Sequence, residues 1–426
     1  MARLMFFLIS PLLLLGLAWH LDWPVFYAWR TEISCLALGI SLVLAFWSKK
    51  TLKKKQAFWS LTLLLLVVLS FLAKSFEREY LRLAIWQASA EEIKKMGAHF
   101  VIGYRDWEEA SLLARQGAIA GLYISRAQFR EYNFEDLQNK INQLQGLRQK
   151  AGLPPLIIAV DEEGDFVSVL KVWDGPQLGL ASFSTWKKPW KELEGAIEKM
   201  GHRQGKRLKE LGVNVNFSPV VDLKVKLKQG RRDNSRIYLR AAAEDPKEVS
   251  QRALLYSQTL LEEGVTPTLK HFPGLGHGLG DTHFEDVFLE SSWEELKEKD
   301  VLPFKQILSQ VPALTMLSHA KVAGSKKPAS ICPQVVEKMF RQKISQEALL
   351  ITDDFSMAPI ALGPGGVSQA TVEALELGVD LILISKDVDL YYPAFNAALK
   401  AWRQRKLSPI KIALSQNRLQ KLVKNF

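Results

Sequence analysis

The sequence predicts an α/β protein in which a single (β/α)8 TIM-type barrel follows an N-terminal membrane region of about three helices. Three apolar runs stand in the first 75 residues. From residue 97 onward, eight short apolar, β-branched runs alternate with longer amphipathic stretches, and no long Ser-, Pro- or Gly-rich linker interrupts them. Polar residues cluster at the ends of these runs. A doubly wound open sheet is the structural competitor, because it shows the same alternation.

The three apolar runs span residues 5–19, 33–48 and 57–73. Each has roughly 15–17 residues, which is at or just below the length that crosses the hydrocarbon core of a bilayer. Tryptophan and tyrosine residues stand near the ends of the runs, as interfacial anchors do. Two alternatives remain open, namely a cleaved signal peptide in the first run or only two spans.

The orientation of the membrane region follows from a basic loop between the second and third runs. Its five lysines are Lys49, Lys50, Lys53, Lys54 and Lys55. Basic residues in a short loop favour the cytoplasmic side. We therefore expect the chain after residue 73 to lie on the extracytoplasmic (periplasmic) side of a bacterial cytoplasmic membrane. The expected organisation is an anchor over residues 1–74, a charged stalk over 75–95 and a barrel domain over 96–426.

Charge and cysteine content exclude several classes of protein. The net charge is +11, but residues 1–90 hold ten Lys and Arg against four Asp and Glu, so much of the excess belongs to the membrane region. The rest of the chain has an ordinary balance, and we expect no nucleic-acid partner. The two cysteines, Cys35 and Cys332, exclude a disulfide framework and make a thiolate metal site unexpected. We expect no cofactor and no metal.

The predicted barrel strands follow one another at regular intervals. They cover residues 99–104, 119–125, 156–161, 213–219, 266–271, 313–319, 349–353 and 379–385. Helical patterns between them include residues 190–211, 246–263 and 333–343. The last residues of several runs are polar, among them Asp161, Lys270, His271, His319 and Asp353. Chemistry in such barrels takes place at the carboxyl ends of the strands, so these side chains mark the expected catalytic face.

The most informative segment is the glycine-rich loop that follows the fifth predicted strand. It runs from Lys270 to His283 and ends in Asp281-Thr282-His283. A carboxylate that fixes the tautomer of an imidazole makes it a proton donor and acceptor near neutral pH. Glycines let the backbone approach a ligand closely. An isolated Asp-x-His pair is more often an ordinary surface turn, so the whole pattern carries the argument.

A second carboxylate pair, Asp353 and Asp354, ends the seventh predicted strand. Side chains alternate along a strand, so one of the two should point into the barrel mouth and the other away. An ionised carboxylate in such a position can act as a nucleophile in covalent catalysis. Taken without context, two adjacent aspartates at a strand end are more often a helix N-cap or a metal ligand.

Taken together, these motifs resemble glycoside hydrolase family 3, and in particular its bacterial β-N-acetylglucosaminidase branch. The branch's loop reads Lys-His-Phe-Pro-Gly-His-Gly, four residues, then Asp-Ser-His; this chain has Leu275 and Thr282 at the two differing positions. Residues 349–357 are similar to the family's Ser-Asp-Asp-Leu-Ser-Met, and residues 214–222 to its Phe-x-Pro-Val-x-Asp strand. The resemblance covers roughly residues 95–420, with the motifs in the family's order.

The resemblance implies a role for each matching residue. Asp353 corresponds to the nucleophile, and Asp354 is left for N-capping or support. His283 corresponds to an acid/base histidine with Asp281 as its partner, and we expect no second domain after Phe426 to supply a distant carboxylate instead. The residues expected to hold the sugar, from their matches to family motifs, are Asp161, Arg236, Lys270 and His271.

One motif departs from the family pattern. The family reads Asp-x-Glu-Gly-Gly-x-Val-x-Arg near residue 161, and this chain has Asp165 for the second glycine and Val169 for the arginine. The missing arginine removes a fixed donor fork, so specificity could differ or activity could be lost. Residues 223–240 are also longer and more basic than expected. A solvated loop is the simpler interpretation of that segment, and contact with an acidic polymer is the alternative.

The expected function is a membrane-anchored, metal-independent, retaining glycoside hydrolase. It would remove β-linked N-acetylglucosamine from glycans derived from the cell wall. Its expected partners are the glycan and the lipid bilayer. The first alternative is a β-glucosidase-type hydrolase of the same fold. The second is a membrane-tethered glycan-binding protein with weak or no activity, which Asp165 and Val169 would favour.

Overall fold

The computed structural model describes residues 2–19, 30–187, 189–225 and 236–426. The chain divides into two compact units, one up to Gln87 and one from Ala88 to Phe426. Of the residues predicted as a stalk, those up to Gln87 belong to the first unit and the others to the second.

The described residues of the first unit form three helices, which confirms the three helical segments expected from the apolar runs. They are α1 (Ala2–Trp19), α2 (Arg30–Thr51) and α3 (Lys54–Ala84), followed by a 3-10 turn at Ile85–Gln87. Small side chains such as Ala18 and Ala37 pack with Val67 and Phe71 between the helices. Outward apolar side chains remain exposed, and Leu42, for example, is 71% exposed.

Two stretches of this unit, Glu32–Thr51 and Lys54–Gln87, are long and apolar enough to cross a membrane by length and composition. The apolar part of α1, Met5–Ala18, is shorter. The third helix does not end near residue 73 as the apolar run does, since α3 continues to Ala84 through its charged part. Five lysines end α2 and begin α3, as expected.

The second unit is built on eight parallel strands, which confirms the predicted barrel. The strands of the barrel are β1 (Phe100–Ile102), β2 (Gly121–Tyr123), β3 (Ile157–Val160), β4 (Val215–Asn216), β5 (Thr266–Phe272), β8 (Leu314–Leu317), β9 (Leu350–Thr352) and β10 (Ile382–Ile384). Their order is β10-β1-β2-β3-β4-β5-β8-β9. A parallel bridge between Ile351 and Leu381 joins the two ends, so the open sheet is excluded.

Two further strands lie outside the barrel. They are β6 (Gly278–Leu279) and β7 (Phe288–Leu289), which pair antiparallel. They form a hairpin after β5, and the Asp281-Thr282-His283 segment lies in its connection. The sequence patterns did not predict this hairpin, because two-residue strands show no periodicity.

Helices surround the barrel and connect its strands. They are α4 (Ala90–Gly97), α5 (Trp107–Gln116), α6 (Arg126–Glu131), α7 (Phe134–Lys150), α8 (Lys171–Asp174), α9 (Trp190–Leu211), α10 (Ile237–Arg240), α11 (Pro246–Glu262), α12 (Trp293–Glu295), α13 (Leu302–Leu308), α14 (Ala358–Ala361), α15 (Gly366–Glu376), α16 (Tyr391–Arg403) and α17 (Pro409–Val423). Short 3-10 turns cover Leu180–Phe183, Ala329–Ile331 and Val388–Leu390. Leu296–Asp300 and Gln334–Arg341 are π-helical.

Local signals explain where the helices begin and end. Asp245 caps α11 by accepting from the backbone N–H groups of Lys247 and Glu248, and Pro246 occupies the first helical position. The C-terminal end of α9 is Gly212 with φ 96°, a left-handed conformation that glycine adopts readily. The predicted helix at 333–343 is π-helical rather than α-helical. Eight residues are too few for the sequence pattern to separate the wider π-helix, with its i→i+5 hydrogen bonds, from an α-helix.

The barrel interior is filled by side chains from alternating strand positions. Its residues are Val101, Ile157, Ala159, Val215, Phe217, Leu314, Met316, Leu349, Ile351, Leu381 and Leu383, with Leu419 and Leu422 of α17 joining the same cluster. Apolar burial of this kind stabilises the fold by roughly 25 cal/mol per Å². The polar residues at the strand ends are therefore held on a rigid frame.

Candidate active site

The polar residues predicted to share one face of the barrel do so. Asp161 follows β3, Lys270 and His271 lie in β5, His319 follows β8, and Asp353 follows β9. Since the strands are parallel, their carboxyl ends meet at one end of the barrel.

Lys270 lies at the centre of a buried ion-pair cluster. Its ammonium group donates to Asp161 Oδ1 at 2.6 Å and lies 2.6 Å from Glu163 Oε1. The Lys270 side chain is only 3% exposed. Burial alone would lower the pKa of Lys270, but the negative charges of Asp161 and Glu163 raise it. The lysine is therefore held as a cation that donates into the barrel mouth.

Arg240 completes this cluster. Its guanidinium donates to both oxygens of Glu163, at 2.9 Å from Nε and 2.6 Å from Nη2. Burial would raise the pKa of Glu163, but the charges of Arg240 and Lys270 lower it to about 2. With Asp161, the cluster holds two carboxylates and two cations, so its formal charge is zero.

Tyr123 fixes the other oxygen of Asp161. The phenol donates to Asp161 Oδ2 at 2.8 Å, and its ring stacks on Phe217 at a centroid distance of 5.9 Å. Burial, together with the charge of Asp161, raises the pKa of Tyr123 well above its ordinary value. The hydroxyl therefore keeps its proton, and both Asp161 oxygens accept a hydrogen bond before any ligand binds.

His271 is oriented by Asp222. Its Nδ1 lies 2.6 Å from Asp222 Oδ2, and because a carboxylate only accepts, Nδ1 carries the proton. The backbone N–H groups of His271 and Leu275 also donate to the same carboxylate, the latter at 2.7 Å. Asp222, at 1% exposure, thus joins β5 to the glycine-rich loop.

The predicted Asp281–His283 pair is formed in the β6–β7 hairpin. His283 Nδ1 lies 2.7 Å from Asp281 Oδ1, and the His283 backbone N–H donates to the same oxygen at 2.9 Å. The imidazole remains accessible, with 57% of its side chain exposed. Its hydrogen bond to Asp281 raises the pKa of His283, against the effect of burial, and the charge of Asp353 adds to the rise.

The same contact acts in the opposite direction on the carboxylate. Burial alone would raise the pKa of Asp281, but the hydrogen bonds from His283 lower it. The pair is thus an ionised carboxylate beside an imidazole that holds its proton to a higher pH than a free histidine, which is the arrangement a general acid needs.

Asp353 is half-buried and surrounded by imidazoles. Burial would raise its pKa, but the charge interactions with His271 and His283 lower it. The Asp354 backbone N–H also donates to Asp353 Oδ1 at 2.8 Å. A carboxylate kept ionised inside a pocket can act as a nucleophile or as an electrostatic stabiliser.

Asp354 holds this strand end in place. Its carboxylate accepts hydrogen bonds from Ser356 (N and Oγ), Ser385 (N and Oγ) and the Lys386 backbone N–H, at 2.6–3.1 Å. These bonds join the ends of β9 and β10. The sequence assigned Asp354 to capping or support, and its contacts have that character.

His319 is fully buried beside the site. Its Nε2 lies 3.0 Å from the Asp354 carbonyl oxygen and its Nδ1 2.9 Å from Ser330 Oγ. Burial lowers the pKa of His319. Because a carbonyl only accepts, Nε2 carries the proton and the neutral ring accepts from the serine hydroxyl.

Arg236 is not part of the cluster that the structure forms. It is exposed and precedes α10 with φ 58°, and Arg240, at the other end of the same helical turn, makes the contact with Glu163. The four residues that sequence reasoning did not select are Tyr123, Glu163, Asp222 and Arg240. The sequence did contain one signal for Arg240, because three alanines follow it. An arginine next to such an apolar run is a candidate for a buried ion pair.

The two departures from the family motif have local explanations. Asp165 has φ 48°, so it adopts the left-handed conformation that glycine would favour, and it accepts from the Ser182 backbone N–H at 3.1 Å. The Val169 side chain is buried, with 3% exposure. Most of the basic segment falls in residues 226–235, outside the described residues, so the acidic-polymer alternative stays untested.

Within the described parts of the chain, no group of three or more His, Cys, Asp or Glu side chains could hold a metal ion. What the barrel mouth does provide is a carboxylate whose pKa is lowered, an accessible imidazole whose pKa is raised and a neutral cluster of buried donors and acceptors. This combination can support nucleophilic substitution with general acid assistance.

Comparisons with known proteins agree with this chemistry. The model of the Glycosyl hydrolase family 3 N terminal domain matches residues 88–422. The β-hexosaminidase LpqI of Mycobacterium tuberculosis is 28% identical over 316 residues, covering 72% of this chain and 77% of that protein. A β-hexosaminidase of Xanthomonas oryzae pv. oryzae is 28% identical over 283 residues, covering 66% of this chain and 78% of that protein. Among solved structures, a GH3-family glycosyl hydrolase from Mycobacterium smegmatis superposes with a TM-score of 0.67 at 26% identity, covering 78% of this chain and 96% of that chain.

Proposed function

The chain belongs to glycosyl hydrolase family 3, and from this premise we propose that it removes β-linked N-acetylglucosamine from glycans with retention of configuration. It is a glycoside hydrolase of the β-N-acetylhexosaminidase type. The observation that carries the mechanism is the contrast between two groups at one barrel mouth. The pKa of Asp353 is lowered by surrounding imidazoles, while that of His283 is raised by its hydrogen bond to Asp281.

In the first step, an oxygen of Asp353 attacks the anomeric carbon and forms an ester bond to the sugar. The bond from that carbon to the leaving-group oxygen breaks, and His283 gives its proton to this oxygen. Asp281 stays ionised throughout and keeps the imidazole oriented. In the second step, water attacks the anomeric carbon, His283 takes the proton of the water, and Asp353 leaves as a carboxylate.

Asp161, Lys270 and His271 are the proposed sugar-holding residues. All three lie at the ends of barrel strands, and each is already oriented by a charged partner or a phenol. Such preorganisation favours binding because the side chains lose little conformational freedom when the ligand binds. Arg236 remains a candidate only for a more distant part of the substrate, since it is exposed; Arg240 supports the cluster through Glu163.

We further propose that the enzyme is anchored in a bacterial cytoplasmic membrane with its barrel on the extracytoplasmic side. The support is the pair of helices long enough to span a bilayer and the lysine-rich connection between α2 and α3. In this location, N-acetylglucosamine-containing cell-wall glycan is the substrate class within reach.

The test is release of chromophore from a panel of aryl β-glycosides by the full chain in detergent. We expect turnover of the N-acetylglucosaminide, a β-anomeric first product by NMR, and loss of turnover in Asp353→Asn. Asp174→Asn is the matched control, because Asp174 lies in α8 and pairs with Arg207 away from the strand ends. Azide added to Asp353→Ala should restore release and yield the α-glycosyl azide.

Other outcomes would redirect the proposal. Hydrolysis of the glucoside alone would make the protein a β-glucosidase-type enzyme. Binding of N-acetylglucosamine oligomers without hydrolysis of any aryl glycoside would make it a glycan-binding protein. Val169 and Asp165, at the two positions where the sequence departs from the family motif, are the residues that favour such a change.

A further inference from the structure

The hairpin that carries Asp281 and His283 is fastened to the barrel by backbone contacts after the catalytic histidine. The Leu289 backbone N–H of β7 donates to the Lys321 carbonyl at 2.9 Å. The Ala358 backbone N–H donates to the His283 carbonyl at 3.4 Å, which joins the hairpin to the segment after β9. These contacts hold the end of the hairpin at β7. The position of His283 also depends on how the entrance of the hairpin, the chain just before β6, is held.

The entrance is held by a side-chain pair. His277, just before β6, places Nδ1 3.1 Å from Asp300 Oδ1. Asp300 is the last residue of the π-helical segment Leu296–Asp300 and is 1% exposed. Gly274 packs against it so closely that a Cβ there would lie 2.5 Å from Asp300 Cβ.

Asp300 is an unusual anchor, because one of its oxygens has no partner. Oδ2 is buried and has no hydrogen-bond partner among the described residues. A buried carboxylate is strongly disfavoured unless a cation balances it. His277, 27% exposed at its side chain, is the basic group that contacts the carboxylate within the described chain.

The charged surroundings are consistent with an ion pair. The hydrogen bond to Asp300 raises the pKa of His277, while burial opposes the rise. Among the charged neighbours, Lys299 lowers the pKa of His277 and Glu295 raises it, so these two act against each other.

We propose that His277 and Asp300 are a positioning pair, which holds the entrance of the hairpin so that His283 reaches the leaving-group oxygen. The inference rests on the proposed function. Both residues act through His283, and neither belongs to the sugar-holding cluster. Loss of the pair should therefore weaken proton donation without weakening the attack by Asp353.

The dependence of rate on the leaving group separates these two steps. Dinitrophenol leaves as a stable anion and needs little help from an acid, whereas 4-methoxyphenol needs a proton. The full chain in detergent is assayed with the 2,4-dinitrophenyl and 4-methoxyphenyl β-N-acetylglucosaminides, as wild type, His277→Ala and Asp300→Asn. The matched control is His202→Ala, which removes a histidine–glutamate pair (Nδ1 to Glu263 Oε1, 2.8 Å) between α9 and α11.

We expect kcat/KM for the 4-methoxyphenyl substrate to fall roughly 10-fold or more in His277→Ala, a part of the roughly 10²–10⁴-fold that a general acid contributes. The dinitrophenyl substrate should change less than about 3-fold, because its departure does not rely on the acid. Asp300→Asn should follow the same pattern, and His202→Ala should change neither. Hydrogen exchange of residues 276–287 should become faster in His277→Ala and Asp300→Asn but not in His202→Ala, which reports the loosened hairpin without reference to activity.

An equal fall for both substrates, or no fall for either, would overturn the inference, as would unchanged hydrogen exchange. If Asp300→Asn does not fold, the exposed His277 still gives a folded variant that decides the question. A wild-type protein that hydrolyses neither substrate would defeat the proposed function itself, and this inference with it.

Discussion

Removal of Arg240 should destabilise the barrel and impair catalysis, whereas removal of Arg236 should leave stability and the turnover of a small aryl glycoside unchanged. The two arginines lie four residues apart, at the two ends of one helical turn. Arg240 donates to both oxygens of Glu163, with side-chain exposures of only 14% and 7% for the two partners. Arg236 is exposed.

The magnitude follows from the charges of the cluster. With Arg240 present, Asp161 and Glu163 are balanced by two cations; Arg240→Ala leaves Lys270 alone with two carboxylates, and the buried cluster gains a net negative charge. Removing one partner of a buried pair destabilises by about 3–5 kcal/mol. Lys270 offsets part of this, so we expect about 3 kcal/mol, or a fall in Tm of roughly 6 °C at about 2 °C per kcal/mol for a large domain.

The measurement is thermal unfolding followed by intrinsic fluorescence, together with steady-state kinetics on the aryl N-acetylglucosaminide. Arg240→Ala should also lower kcat/KM by about 10–100-fold, since Lys270 is drawn away from Asp161. Arg236→Ala is the matched control, and a surface change of this kind should stay within about 0.5 kcal/mol. The pKa of Glu163, lowered to about 2, keeps the cluster ionised, so the difference should be constant from pH 5 to 8. A larger effect of Arg236→Ala than of Arg240→Ala would refute the reasoning.

Three further predictions concern the hairpin, Gly274 and the N-terminal unit. Asp281→Asn replaces the charged acceptor of the hydrogen bond that raises the pKa of His283 with a neutral one, so this pKa should fall. The alkaline limb of kcat/KM, where the acid loses its proton, should therefore move to lower pH, and an unmoved limb would show that the pair does not set the protonation of the acid. Gly274→Ala should destabilise the chain by roughly 1–3 kcal/mol in denaturant unfolding, because φ is 130° and the added Cβ meets Asp300. A shortened chain of residues 88–426 should be soluble without detergent and unfold cooperatively, whereas aggregation on ultracentrifugation would argue against an independent barrel unit.

The eight strands and the polar residues at their carboxyl ends were predictable from the sequence. Seven of the eight predicted runs were longer than the strand they became, as at residues 213–219 where β4 covers only Val215–Asn216, whereas β5 extends one residue beyond its predicted run to Phe272. The reason is that strand ends in a tilted barrel lose their ladder partners before the apolar pattern stops. The pattern nevertheless placed Asp161, Lys270, His271 and Asp353 on one face, because parallel strands that close on themselves bring all their carboxyl ends together.

The Asp281–His283 pair was equally predictable from the sequence, because two side chains separated by two positions can adopt few relative geometries. Pairs between distant segments were not. Arg240 and Glu163 are 77 positions apart, and His271 and Asp222 are 49 apart. No local pattern states which of two neighbouring arginines will face the barrel mouth, so the contact of Arg240 with Glu163 could not be predicted before the barrel was closed.

The alternation of strands and helices, the apolar helices of the first unit and the chemical groups at the strand ends all follow from the order of residues along the chain. These depend on periodicity, turn residues and composition, which act between neighbours along the chain. The tertiary structure alone decided how the charges are balanced: Lys270 between two carboxylates, Arg240 on Glu163, His277 on Asp300. Those pairings are set by the distances and the burial that barrel closure imposes, and the free energy of a buried charge depends on both.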